Sequence, residues 1–96
     1  MGLIQNLAAI AIRNKVVGAL REQCPESLKE ALEVLLADKA AIAAIQSLVG
    51  ANLKNPAGIT EAAILGLEMP QASHDLLVAT PDLVAYLVRT AVGKLS

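Results

Sequence analysis

Tyr86 is the only aromatic residue in a 96-residue chain that is 55% hydrophobic, with no Phe and no Trp. The apolar content is therefore almost entirely Ala, Leu, Val and Ile, with 16 Leu, 7 Ile and 8 Val. Rings are the usual means of stacking on a base or sugar and of anchoring a partner surface, because each buries a large area with a defined geometry. A chain without them works by packing small aliphatic side chains, and that constraint favours helices that approach one another closely.

A chain of this length fits one domain, 1–96, and buries roughly 60 to 70% of the surface its unfolded form exposes. Charged residues make up only 18% of it and the mean hydropathy is +0.56. One small core does not hide that much apolar surface, so part of it is expected to face a partner. The net charge of −1 supplies no long-range field for nucleic acid or an anionic membrane. The single cysteine, Cys24, cannot form an internal disulfide, which points to a reducing compartment or the inside of an assembly. The apolar start, Met1 to Ile12, has its basic residues Arg13 and Lys15 after it, the reverse of a secretion signal. After it, the longest charge-free run, Ala40 to Leu53, is 14 residues, short of the about 20 that cross a bilayer. No transmembrane segment is expected.

The local signals are helical throughout. Leu3, Leu7, Ile10, Val17 and Leu20 recur at helical spacing up to about Glu22, and Ala8, Ala9, Ala11, Ile12 and Val16 widen that stripe nearly all round. Cys24-Pro25-Glu26 resets the chain, and Leu28, Ala31, Leu32 and Leu35 then make one face of an amphipathic helix. Its opposite face carries Glu26, Lys29, Glu30 and Glu33, with Lys29 and Glu33 spaced to pair. Asp38 caps an Ala-rich third helix that continues past Gly50 to about Leu53. Asn55-Pro56-Ala57-Gly58 is a turn. Thr60 caps a short helix, Glu61 to Leu65, closed by Gly66 in a left-handed conformation, and Met69-Pro70 opens another, Gln71 to Val78. Thr80-Pro81-Asp82 is the clearest start signal, opening a last helix to about Val92 that Gly93 closes. No segment alternates apolar and polar residues as a strand does. The expected fold is all-α, a compact bundle of five or six helices: a long first helix, an amphipathic second, an Ala-rich third, two short ones and a C-terminal one.

Two regularities stand out. From Lys54 the charges Lys54, Glu61, Glu68, Asp75, Asp82 and Arg89 fall seven apart, but Pro56, Pro70 and Pro81 break any continuous heptad helix. At a spacing of 42, Asp38/Thr80, Ile42/Val84, Ala43/Ala85, Ile45/Leu87 and Leu53/Leu95 match. Two capped apolar helices would match in this way by composition, and a duplicated hairpin would too.

No constellation calls for catalysis, a cofactor or a metal. Ser73-His74-Asp75 contains triad residue types, but sequence neighbours on a helix point in different directions. His74 is the only histidine, without co-ligands at metal spacing, and is expected to face solvent at a helix start. The stretch from Thr60 to Leu76 has the outline of a helix-turn-helix in which Gln71, Ser73 and His74 would meet bases. It carries Glu61, Glu68 and Asp75 and no Lys or Arg, so nucleic acid is not the expected partner and a helix corner is preferred.

What remains is function by association. Ala40 and Ala44 are four apart, as are Ala43, Ser47 and Ala51, and small residues at that spacing make a flat strip for another helix. With Leu3, Leu7 and Ile10 of the first helix, they form the expected interface of a non-catalytic structural or assembly subunit, a homo-oligomer or the partner of another protein. A carrier of a lipid-like ligand in an aliphatic core is the second reading, and peripheral membrane contact through residues 1–12 the third.

Overall fold

The computed structural model describes residues 15–95, which form six α-helices and no strand. Residues 15–22 are helical and are termed α1. A 3₁₀ turn at Glu26–Leu28 leads into α2 (Lys29–Ala37), followed by α3 (Lys39–Ala51), a 3₁₀ turn at Pro56–Gly58, α4 (Glu61–Leu65), α5 (Gln71–Ala79) and α6 (Pro81–Leu95). This is the all-α bundle that the pattern of caps and apolar spacing predicts.

The start signals work through local hydrogen bonds. Asp38 Oδ1 accepts from the Ala40 and Ala41 amides at 3.1 and 3.3 Å, and Thr60 Oγ1 accepts from Ala63 at 3.1 Å. Pro81 is the first residue of α6, where its missing N–H has no helical partner to lose. The stop signals behave differently. Gly66 does follow α4, but at φ −85°, in the ordinary right-handed region, with its amide bonded to Ala62 O. Gly93 does not close α6, which runs through it to Leu95. α3 ends at Ala51 rather than Leu53, where the Asn52 amide side chain turns back to donate to Leu48 O at 2.8 Å.

α2 buries Leu32 and Leu35, with Leu28 just ahead of it, and α3 buries Ala41, Ile45 and Val49. They join Ile59, Ile64, Leu77, Leu83, Val84, Leu87, Ala91 and Tyr86 in one cluster. In α1 the buried residues are Val16, Ala19 and Leu20, whereas Lys15, Arg21 and Glu22 face solvent, so this part of the first helix is one-sided rather than apolar all round. Lys29 on α2 pairs at 3.9 Å with Glu26, not with Glu33, and the pair is exposed.

The spacing of 42 reappears in three dimensions. α2 and α5 are each nine residues long and begin 42 apart, and α3 and α6 likewise begin 42 apart. At both junctions the chain turns through 97°. Buried positions correspond as well: Leu35 with Leu77, Ala41 with Leu83, Ile45 with Leu87, Val49 with Ala91. The two corners also touch each other through a side-chain bond. Asp38, at the first corner, accepts a 2.6 Å bond from Ser73, while Ala31 and Thr80, their counterparts under the same shift, line one groove between α2 and α5. The two corners thus share their helix start spacing and turn angle.

Candidate functional site: the open face of α3

α3 separates two surfaces. Ala41, Ile45 and Val49 go to the core, with Ile42, Ala44 and Leu48 half-buried beside them. Ala40, Ala43, Ser47 and Ala51 are exposed. The proposed strip is therefore assembled on one side of the helix, with Ala44 at its edge. Leu3, Leu7 and Ile10 lie outside the described residues, as does the segment 1–12 considered for membrane contact.

The solvent side of a surface helix ordinarily carries charged and polar groups. α2 follows that rule with Lys29, Glu30 and Glu33 exposed. α3 does not: between Lys39 and Lys54 its sequence contains no charge, and its outward positions are three alanines and one serine. Small side chains leave the backbone accessible, so a second helix could pack near the short end of the about 8–10 Å range of axis separations.

The side chains with chemical potential are engaged elsewhere. Ser73 is buried and donates to Asp38, His74 Nε2 donates to Leu65 O at 3.1 Å, and Asp75 accepts from Gln71 at 2.7 Å. Serine, histidine and aspartate thus bond to three different partners and form no relay. His74 is half-buried against the end of α4 rather than facing solvent, so a helix carbonyl that lacks an amide acquires a donor. The same bonds remove Ser73 and His74 from the surface that a DNA-reading helix would present, leaving Gln71 exposed. The Ser73 bond is the main influence holding the Asp38 carboxyl below the usual carboxylate range, and the Ala41 and Ala40 amides add to it.

Tyr86 explains its own presence. Its ring is buried on α6, and its hydroxyl donates to Leu20 O at 2.7 Å, with Ala19 O at 3.4 Å. These carbonyls lie in the last turn of α1, so the one aromatic side chain closes that helix from across the bundle. Burial pushes the phenol up, and the Arg89 guanidinium sits 5.9 Å from the ring centre. Desolvation likewise raises the Cys24 thiol, with Lys29 opposing, which makes it a poorer nucleophile.

Among the described residues, surface grooves of about 360 to 520 Å³ open to solvent, one of them along Glu26, Lys29, Glu30 and Glu33. Among the described residues no group of three or more His, Cys, Asp or Glu side chains is placed to hold a metal ion. Nor is any single helix there long and apolar enough to cross a membrane. The described residues thus form an all-α bundle in which α3 exposes an uncharged strip of small residues. The chain matches no known protein family, no curated protein and no solved structure.

Proposed function

We propose that this chain is a non-catalytic assembly subunit that associates with copies of itself through small-aliphatic helix faces. The observation that carries the reading is the exposure of Ala40, Ala43, Ser47 and Ala51 along a helix side with no charge. A helix side that is neither charged nor needed by its own core is costly to leave in water and favourable to cover. The engagement of Ser73, His74 and Asp75 in separate structural bonds argues in the same direction, because it leaves this constellation without a catalytic arrangement.

Sedimentation equilibrium of the full chain tests the proposal. A mass corresponding to two or more chains at micromolar concentration is expected, falling on dilution if exchange is rapid. A single-chain mass maintained to high concentration overturns it.

A further inference from the structure

The groove beside Tyr86 differs from the other grooves in its charge. It opens between α6 and the chain leaving α1, has a volume of about 370 Å³ and is lined by Gln23, Pro25, Tyr86, Arg89, Thr90 and Gly93. The grooves along α1 and α2 each contain a glutamate, Glu22, Glu30 or Glu33 among them. This one contains no carboxylate, and Arg89 is its charged side chain. Among the described residues no carboxylate comes within ion-pair distance of Arg89, whose guanidinium lies instead 5.9 Å from the centre of the Tyr86 ring. That ring is buried and its hydroxyl is bonded to Leu20 O, so the guanidinium rests beside a fixed surface. Gly93 completes the opening. It lies inside α6 without a positive φ, and a Cβ there would meet no atom within 4 Å. Neither backbone nor packing requires glycine at this position, although only proline is less favourable inside a helix. The missing side chain keeps the groove open beside Arg89, which is four residues earlier and so on the same side of the helix.

We propose that this groove binds a small oxyanion, a carboxylate or a phosphoryl group, held by the Arg89 guanidinium and the Gln23 amide over the opening left by Gly93. A guanidinium presents paired N–H donors that match two oxygens of such a group, and it keeps its charge at any physiological pH. Gln23 is exposed, and its side-chain amide supplies two further donors. No lining residue carries a negative charge that would repel the ligand. The volume falls near the lower end of the about 300–1,000 Å³ typical of small-molecule sites, which suits a phosphate or a short dicarboxylate. A polyanion is excluded by the net charge of −1, which supplies no field to hold one beyond the groove. This inference is independent of the self-association proposed above.

Tyr86 is the only aromatic residue, so its near-ultraviolet dichroism and its emission report on this groove without interference. The full chain is titrated at constant ionic strength with inorganic phosphate and, separately, with succinate, with sodium chloride as the reference. A saturable change in the Tyr86 signal is expected with at least one of the two, and the anion that produces it identifies the group bound. Arg89→Gln is expected to weaken binding about tenfold or more, the loss of a hydrogen bond to a charged group. Gly93→Leu fills the opening with a helix-favouring residue, and is expected to weaken binding without lowering the melting temperature. Lys54→Gln, which removes a positive charge outside the groove, should respond as wild type. No saturable change in wild type overturns the proposal, as does an undiminished response in Arg89→Gln or an equal loss in Lys54→Gln. A response lost in Arg89→Gln but undiminished in Gly93→Leu overturns the groove as the site, because the anion then pairs with an exposed side chain alone.

Discussion

Replacing Tyr86 with Phe removes one oxygen and isolates the bond between α6 and α1. The ring keeps its buried site, so packing is unchanged to first order. What is lost is the 2.7 Å bond to Leu20 O and the longer contact to Ala19 O. The Ala19 carbonyl still accepts from the Gln23 amide at 3.0 Å, whereas Leu20 O depends on the phenol. Tyr86 is 3% exposed and Leu20 is 1% exposed, so little water reaches the site to replace the donor. Leaving such an acceptor unsatisfied costs about 1–3 kcal/mol. For a domain of this size each kcal/mol moves the midpoint of thermal unfolding by about 4–8 °C, so Tyr86→Phe is expected to lower Tm by at least about 4 °C. Far-ultraviolet circular dichroism on heating measures that shift. In the wild type, near-ultraviolet dichroism comes from Tyr86 without interference from Trp or Phe, and it should be lost in the same transition. A variant melting within about 1 °C of wild type would refute the reasoning, since a bond of the expected strength cannot be removed at so small a cost.

Two further outcomes test the joint between the corners and the centre of the core. The Asp38 carboxyl is held below its ordinary value chiefly by Ser73, so its contribution to stability is present above the unfolded value of about 3.9 and is lost as pH falls through the folded one. Melting curves recorded against pH should therefore show wild type and Asp38→Asn converging in acid and diverging toward neutrality; a difference independent of pH would show that the charge of Asp38 is immaterial. Leu35 and Leu77, each 0% exposed and related by the 42-residue shift, should each cost about 2–5 kcal/mol on replacement by Ala, measured by urea denaturation. A loss below about 1 kcal/mol at either would mean that the two corners do not close around a common core.

Features that depend on neighbours within one helical turn were legible in the sequence. Asp38 and Thr60 reach amides two or three residues ahead, and Pro81 needs no partner, so these starts follow from residue type and spacing alone. The buried faces of α2 and α3 follow from helical periodicity in the same way. Helix ends were less legible, because a glycine permits a stop without requiring one: α6 continues through Gly93, where packing of Thr90 and Ala91 outweighs the modest propensity cost. Ser73 and His74 were misplaced for a related reason. Their partners, Asp38 and Leu65 O, lie 35 and 9 residues away, and no local pattern encodes such a pairing.

For the open surface the division is the same. Composition determined that this chain would pack small aliphatic residues closely and that Ala40, Ala43, Ser47 and Ala51 share one side of a helix, because helical spacing alone sets which residues are neighbours on that side. Tertiary structure decided which side of α3 the core would take, and that Tyr86 would bury its ring while α1 supplied its hydroxyl with an acceptor. Burial depends on the arrangement of every helix around the core. A single amphipathic stripe limits the choices for each helix, but only the assembled bundle selects which surface remains exposed.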